Sequence, residues 1–138
     1  MIKRVLIVGF GSIGKRHLRL AREFLPHAEI AVLRHKVDLI IPEGADYIFS
    51  NIVEALTFAP TLAIVANPAT FHLYDATRLA EAGVHLLIEK PLSATSEGVK
   101  DLIGVCKKTN VVLAVGYNLR YLQSLQKFKT MLDDQIIG

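Results

Sequence analysis

Gly9, Gly11 and Gly14 stand at G-x-G-x-x-G spacing, directly after the apolar run Val5–Val8 and before a stretch of helical periodicity. Glycines so placed can hold a diphosphate. Gly9 permits a tight turn, Gly11 lets the backbone approach the phosphates, and Gly14 lets helix and strand pack closely. The helix then opens with N–H groups that have no internal partner and about half a positive charge aimed at an anion. Ser12 and Ile13 sit at that same helix start and are expected to touch the ligand. A buried strand before the turn and a helix after it point to a dinucleotide and not merely to a tight turn.

The residues just past the next apolar run indicate which dinucleotide. In such folds an acidic side chain about 20 residues beyond the glycines takes the adenosine ribose hydroxyls. Here the place after Leu33 holds Arg34-His35-Lys36, and Arg34 is 20 positions past Gly14. A carboxylate would repel a 2′-phosphate, whereas a guanidinium grips it with paired charge-assisted hydrogen bonds. Arg34 and His35 are therefore expected at the adenosine end, with NADP preferred and NAD the alternative. The competing reading is that the basic run only solvates a loop.

Short apolar runs alternate with amphipathic stretches along the whole chain, as βαβ units do. Strands are expected at Arg4–Val8, Glu29–Leu33, Tyr47–Phe49, Leu62–Ala66, His85–Glu89 and Val111–Val115. Helices are expected at Ser12–Phe24, Ile52–Phe58, Thr70–Ala82, Thr95–Lys108 and Leu119–Asp133. The prolines fall at element boundaries, and Gly83 stands where a left-handed cap should end a helix. The fold class is α/β, a doubly wound parallel sheet of order 3-2-1-4-5-6 in three layers, with right-handed crossovers. The segment Leu39–Gly44 reads either as a short strand or as an apolar loop packed on the sheet edge.

At 138 residues the chain fits one domain, and 51% hydrophobic with 21% charged residues describes a compact globule. A net charge of +3 suits an anionic small ligand but falls short of a nucleic-acid-binding face. No apolar stretch reaches the ~20 residues of a membrane helix. Cys106 has no partner for a disulfide and reads as a small buried hydrophobe in a cytoplasmic protein. No Cys/His cluster has metal-ligand spacing.

Two further stretches fall at strand ends on the edge that carries the glycine turn. Asn67-Pro68-Ala69-Thr70-Phe71-His72 turns from a strand into a helix, and Glu89-Lys90-Pro91 ends the next strand. With Gly9–Gly14 and Gly116-Tyr117-Asn118-Leu119-Arg120-Tyr121, they resemble the Gfo/Idh/MocA family of sugar and polyol oxidoreductases. The resemblance implies a Rossmann fold, a nicotinamide cofactor, and hydride transfer at a hydroxyl or carbonyl carbon of a sugar-like substrate. It places Lys90 as the catalytic residue between nicotinamide and reacting oxygen, where an ammonium stabilises a developing alkoxide. Asn67 and Pro68 would wall the nicotinamide ribose, and Asn118 and Arg120 would face nicotinamide or substrate. Glu89 would bond backbone or ribose, or pair with Lys90. For His72 a cofactor contact competes with a helix-end hydrogen bond, and for Arg120 a salt bridge within the fold. His17, on the first helix, reads as packed or solvated and not as catalytic.

Members of that family continue into a second α/β domain that supplies most substrate contacts. Residues 1–121 are thus expected to form the NAD(P)-binding domain, and 122–138 a terminal helix leading to a substrate domain outside this sequence. Leu122, Leu125, Phe128, Met131 and Leu132 recur at helical spacing, which predicts core packing. Apolar surface left bare would favour a homo-oligomer. The alternative function is a stand-alone nucleotide sensor or docking module without catalysis. A methyl-donor-binding fold is weaker, because Glu-Lys-Pro has no role in it.

Overall fold

The computed structural model describes residues 2–35 and 40–137. Its six strands are β1 (Arg4–Val8), β2 (Glu29–Leu33), β3 (Tyr47–Phe49), β4 (Leu62–Val65), β5 (His85–Ile88) and β6 (Leu113–Val115). All pair in parallel, in the order β3-β2-β1-β4-β5-β6. The helices are α1 (Ser12–Phe24), α2 (Ile52–Thr57), α3 (Ala69–Glu81), α4 (Val99–Thr109) and α5 (Gln123–Asp133). This is the Rossmann arrangement that the alternating pattern predicts.

The central strand β1 is buried on both faces, which is why its sequence is continuously apolar. Val5 and Ile7 pack toward α1 with Leu18 and Ala21. Leu6 and Val8 face the opposite layer, with Ala55, Leu79 and Leu102 of α2, α3 and α4. Each of these four strand side chains is at most 1% exposed, and full burial of such a side chain contributes roughly 1.5–3 kcal/mol. The two helical layers are unequal. Three helices cover one face, whereas α1 covers the other chiefly over β1, β2 and β4. On that side β5 and β6 carry the paired Leu87 and Ala114, the first half-buried and the second exposed.

Hydrogen bonds continue past the strand ends along one edge. Ala66 N–H donates to Val8 O at 2.8 Å, Glu89 N–H to Val65 O at 2.9 Å, and Gly116 N–H to Ile88 O at 2.8 Å. The expected strand ends Ala66 and Glu89 are this edge counted one residue further. At its other end Gly9 N–H donates to Leu33 O at 2.9 Å, and Arg34 N–H to Phe49 O at 3.0 Å. Every segment singled out by its chemistry is thereby aligned on the carboxyl edge of the sheet, where ligands bind in such folds.

Several boundaries differ from the sequence reading. Helix α4 begins at Val99 instead of Thr95, because Gly98 adopts a left-handed conformation (φ +76°) that stops a helix from starting earlier. Asn110, also left-handed at φ +56°, turns the Val111 N–H back onto Cys106 O, so β6 starts at Leu113 and not at Val111. Asn118–Tyr121 is a 3-10 turn, and α5 begins at Gln123. The apolar stripe of α5 does not pack into a core. Leu122, Leu125, Phe128 and Leu132 are 44–51% exposed, since the element packed most against α5 among the described residues is the short 3-10 turn before it. Gly83 takes the expected left-handed cap (φ +79°), and Cys106 is buried. Lys36 and Leu39 lie outside the described residues. The rest of the Leu39–Gly44 segment is a loop, with Ile40 and Ile41 more than half or half exposed instead of packed. Arg22 ties that loop down, donating to Gly44 O, Ala28 O and Asp46 Oδ2.

Candidate functional site

The glycine turn is locked by its neighbours. A Cβ on Gly14 would sit 2.1 Å from Gly9 O, and one on Gly9, whose φ is +91°, would sit 2.6 Å from Asn67 N. Strand β1, helix α1 and the end of β4 therefore meet with no room for side chains. Gly11 differs: it has an ordinary extended conformation, and a Cβ there would meet nothing within 4 Å. Protein packing does not require glycine at that position. What a side chain would obstruct is the open space outside the turn.

That space is a crevice of about 630 Å³. It runs from Arg34 and His35, past the glycine turn, to Asn67 and Pro68. Lys15 N–H is the first in α1 to find a helical acceptor, Gly11 O at 3.0 Å. Among the described residues nothing accepts from the N–H groups of Ser12, Ile13 and Gly14, and no acidic residue occupies the first turn. Three free donors and the helix dipole thus open onto the crevice, a ready anion site. At its Arg34 end, Phe10 lines the crevice; the Arg34 guanidinium and, from α1, the Lys15 ammonium lie 6.0 and 5.8 Å from the centre of its ring.

A second cleft, of about 380 Å³, adjoins the first at Ile13 and reaches Lys90 and Asn118. Lys90 is exposed, and among the described residues no carboxylate pairs with its ammonium. Asn118 and Arg120 stand beside it on the 3-10 turn, and Arg120 makes no salt bridge among the described residues. Glu89 is not paired with the Lys90 side chain. One carboxylate oxygen accepts from His17 Nε2 at 2.7 Å, and the other from Lys90 N–H at 3.3 Å. The sequence reading missed His17, because a partner 72 residues away leaves no local signal.

His72 stands behind the crevice wall instead of in it. It is 1% exposed, with Nε2 2.7 Å from Asn67 O and Nδ1 3.0 Å from Pro91 O. The ring ties the loop after β4 to the loop after β5. The same α3 face carries Asp75, also 1% exposed, whose Oδ2 accepts from Asn67 Nδ2 at 2.7 Å. Among the described residues Asn67 Oδ1 and Asp75 Oδ1 have no partner. Burial pushes the Asp75 carboxyl above its ordinary range, and the Asn67 bond and the nearby His35, Arg78 and His72 oppose this without cancelling it.

A carboxyl raised on folding holds its proton longer in the native state than in the unfolded one. Stability therefore falls as pH rises from about 3.9, the unfolded value, through the raised native value. Asp75→Asn keeps the shape and removes the buried charge, and its amide oxygen can still accept from Asn67 Nδ2. Its melting temperature is expected to exceed the wild type's by ~3 °C at pH 8, with the gain vanishing toward pH 4. Calorimetric melts across that range check this, and a gain independent of pH contradicts it.

Residues 3–117 match the profile described as "Oxidoreductase family, NAD-binding Rossmann fold", that of Gfo/Idh/MocA. An uncharacterized oxidoreductase, YrbE of Bacillus subtilis, is 25% identical over 153 aligned positions, covering 100% of this chain and 42% of the relative. The solved scyllo-inositol dehydrogenase of Lactobacillus casei, with bound NAD(H) and scyllo-inositol, superposes with a TM-score of 0.82 at 23% identity. It covers 100% of this chain and 43% of the other, and shows the shared fold. The WlbA dehydrogenase of Bordetella pertussis, in complex with NADH and UDP-GlcNAcA, gives 0.80 at 25% identity, over 97% of this chain and 42% of the other. The chain thus spans about two-fifths of the length of these relatives.

Proposed function

Because the chain belongs to the Gfo/Idh/MocA oxidoreductases, with their NAD-binding Rossmann fold, we propose that it holds the dinucleotide of a dehydrogenase acting on a CH–OH group of a sugar or polyol. The carrying observation is at Gly11: a glycine that protein packing does not need, facing open space beside three unengaged helix N–H groups. Those residues fit a diphosphate. The substrate class draws support from relatives named for inositol and nucleotide-sugar chemistry.

The dinucleotide, when bound, supplies the hydride acceptor or donor. The chain's own residues supply the rest. The N–H groups of Ser12, Ile13 and Gly14 hold the diphosphate, and Gly9 brings the turn against Asn67. Asn67 and Pro68 wall the crevice, backed by His72. Lys90 holds the reacting oxygen, stabilises negative charge that develops on it, and can take or return its proton. Asn118 and Arg120 orient what lies beside it. Residues 122–138 lead toward the substrate contacts, and the bare stripe of α5 favours self-association. The lone Cys106 suits a cytoplasmic setting.

The cofactor is NADP in preference to NAD. Arg34 stands at the adenosine end where a carboxylate would select NAD, and Lys15 adds a second cation on the same ring of Phe10. Arg34→Ser is expected to weaken NADPH binding ~10-fold or more and leave NADH binding unchanged. Titrations of both cofactors at low and high salt check this, and equal wild-type affinities for the two contradict it.

A further inference from the structure

We propose that His17 is a positioning residue that keeps the Lys90 ammonium unpaired by holding the Glu89 carboxylate away from it. Three elements converge to do so. His17, one helical turn past Gly14 on α1, donates from Nε2 to Glu89 Oε1 at 2.7 Å. The bond is partly shielded from water, the two side chains being 16% and 22% exposed. Glu89 Oε2 accepts the Lys90 N–H at 3.3 Å. From the end of β6, Gly116 leaves room for the carboxylate: a Cβ there would lie 3.2 Å from Oε1 and 3.3 Å from the carboxyl carbon.

The flexible side chains of Glu89 and Lys90, neighbours just past the end of β5, are long enough to meet if the carboxylate is free. Here both oxygens are engaged elsewhere, and among the described residues no other carboxylate reaches Lys90. Without His17 the Glu89 side chain is free to turn onto the ammonium and neutralise it. The helix that offers its N-terminus to the diphosphate therefore also sets the charge at the strand tip. This inference rests on the reading that Lys90 faces the nicotinamide.

The test uses calorimetry on the chain with ADP-ribose and with oxidised and reduced dinucleotide. The oxidised nicotinamide is cationic, so an unpaired ammonium beside it makes the reduced form bind ~10-fold tighter in the wild type. Lys90→Met is expected to bring that ratio near one. His17→Leu is expected to lower it toward the Lys90→Met value, and His17→Gln, which still offers an N–H to Glu89, to keep it. The double variant His17→Leu/Glu89→Gln is expected to restore the wild-type ratio, since no carboxylate remains to capture the ammonium. ADP-ribose, which lacks nicotinamide, should bind all of them alike. Should His17→Leu not fold, Gly116→Ala crowds the same carboxylate and is expected to lower the same ratio. A wild-type ratio in His17→Leu, or a ratio not restored in the double variant, overturns the inference while leaving the proposed function standing. Wild-type behaviour of Lys90→Met overturns both, and failure of ADP-ribose to bind the wild type overturns the dinucleotide reading itself.

Discussion

Gly11→Ala is expected to leave stability within about 0.5 kcal/mol of the wild type while weakening dinucleotide binding ~10²-fold. Gly14→Ala is expected to lose both. The contrast follows from what each Cβ would meet. At Gly11 nothing lies within 4 Å and the backbone is extended, so alanine is accommodated and its methyl projects only into the crevice. At Gly14 the methyl would lie 2.1 Å from the backbone oxygen of Gly9, which no side-chain rotation relieves. Helix α1 must then withdraw from β1, at a cost of roughly 1–3 kcal/mol, and its N–H groups leave the site. Thermal melts with cofactor titrations separate the two cases. A Gly11→Ala chain that binds as well as the wild type would mean that no ligand approaches the turn closely.

Lys90→Met is expected to cut turnover ~10²–10⁴-fold, with the Michaelis constant for the sugar-like substrate little changed. The side chain is exposed at a strand tip, so no core packing is lost. Its removal takes away the only ammonium among the described residues that lines both the cleft beside Glu89 and the one formed by Asn118 and Arg120. An interaction made mainly as negative charge develops on the substrate oxygen affects kcat and kcat/KM together. A variant with unchanged kcat and a raised substrate KM would reduce Lys90 to a binding contact.

How much of this was legible in the sequence depended on how local the determinant was. Strand β1 and the turn after it are written within ten consecutive residues, and β1, β2 and β3 agree with the reading to the residue. The start of α4 was missed because Thr95 resembles a helix cap, while Gly98 three residues later favours a left-handed conformation. The stripe of α5 was read correctly as amphipathic and wrongly as core: periodicity says which face wants cover, not whether anything covers it. Arg34, Asn67, Glu89 and Lys90 could be placed together because parallel strands share one carboxyl edge. The His17–Glu89 bond could not, since its partners stand 72 residues apart, on α1 and just past the end of β5. Nor could the burial of His72 and Asp75, which α3 hides behind the wall that Asn67 presents.

Calorimetric titration of the folded chain with NADPH is the most direct test of the account. Saturable heat at one dinucleotide per chain is expected, with affinity ~10²-fold lower in Gly11→Ala though that variant melts as the wild type does. A folded chain that gives no heat at millimolar NADPH or NADH would contradict it.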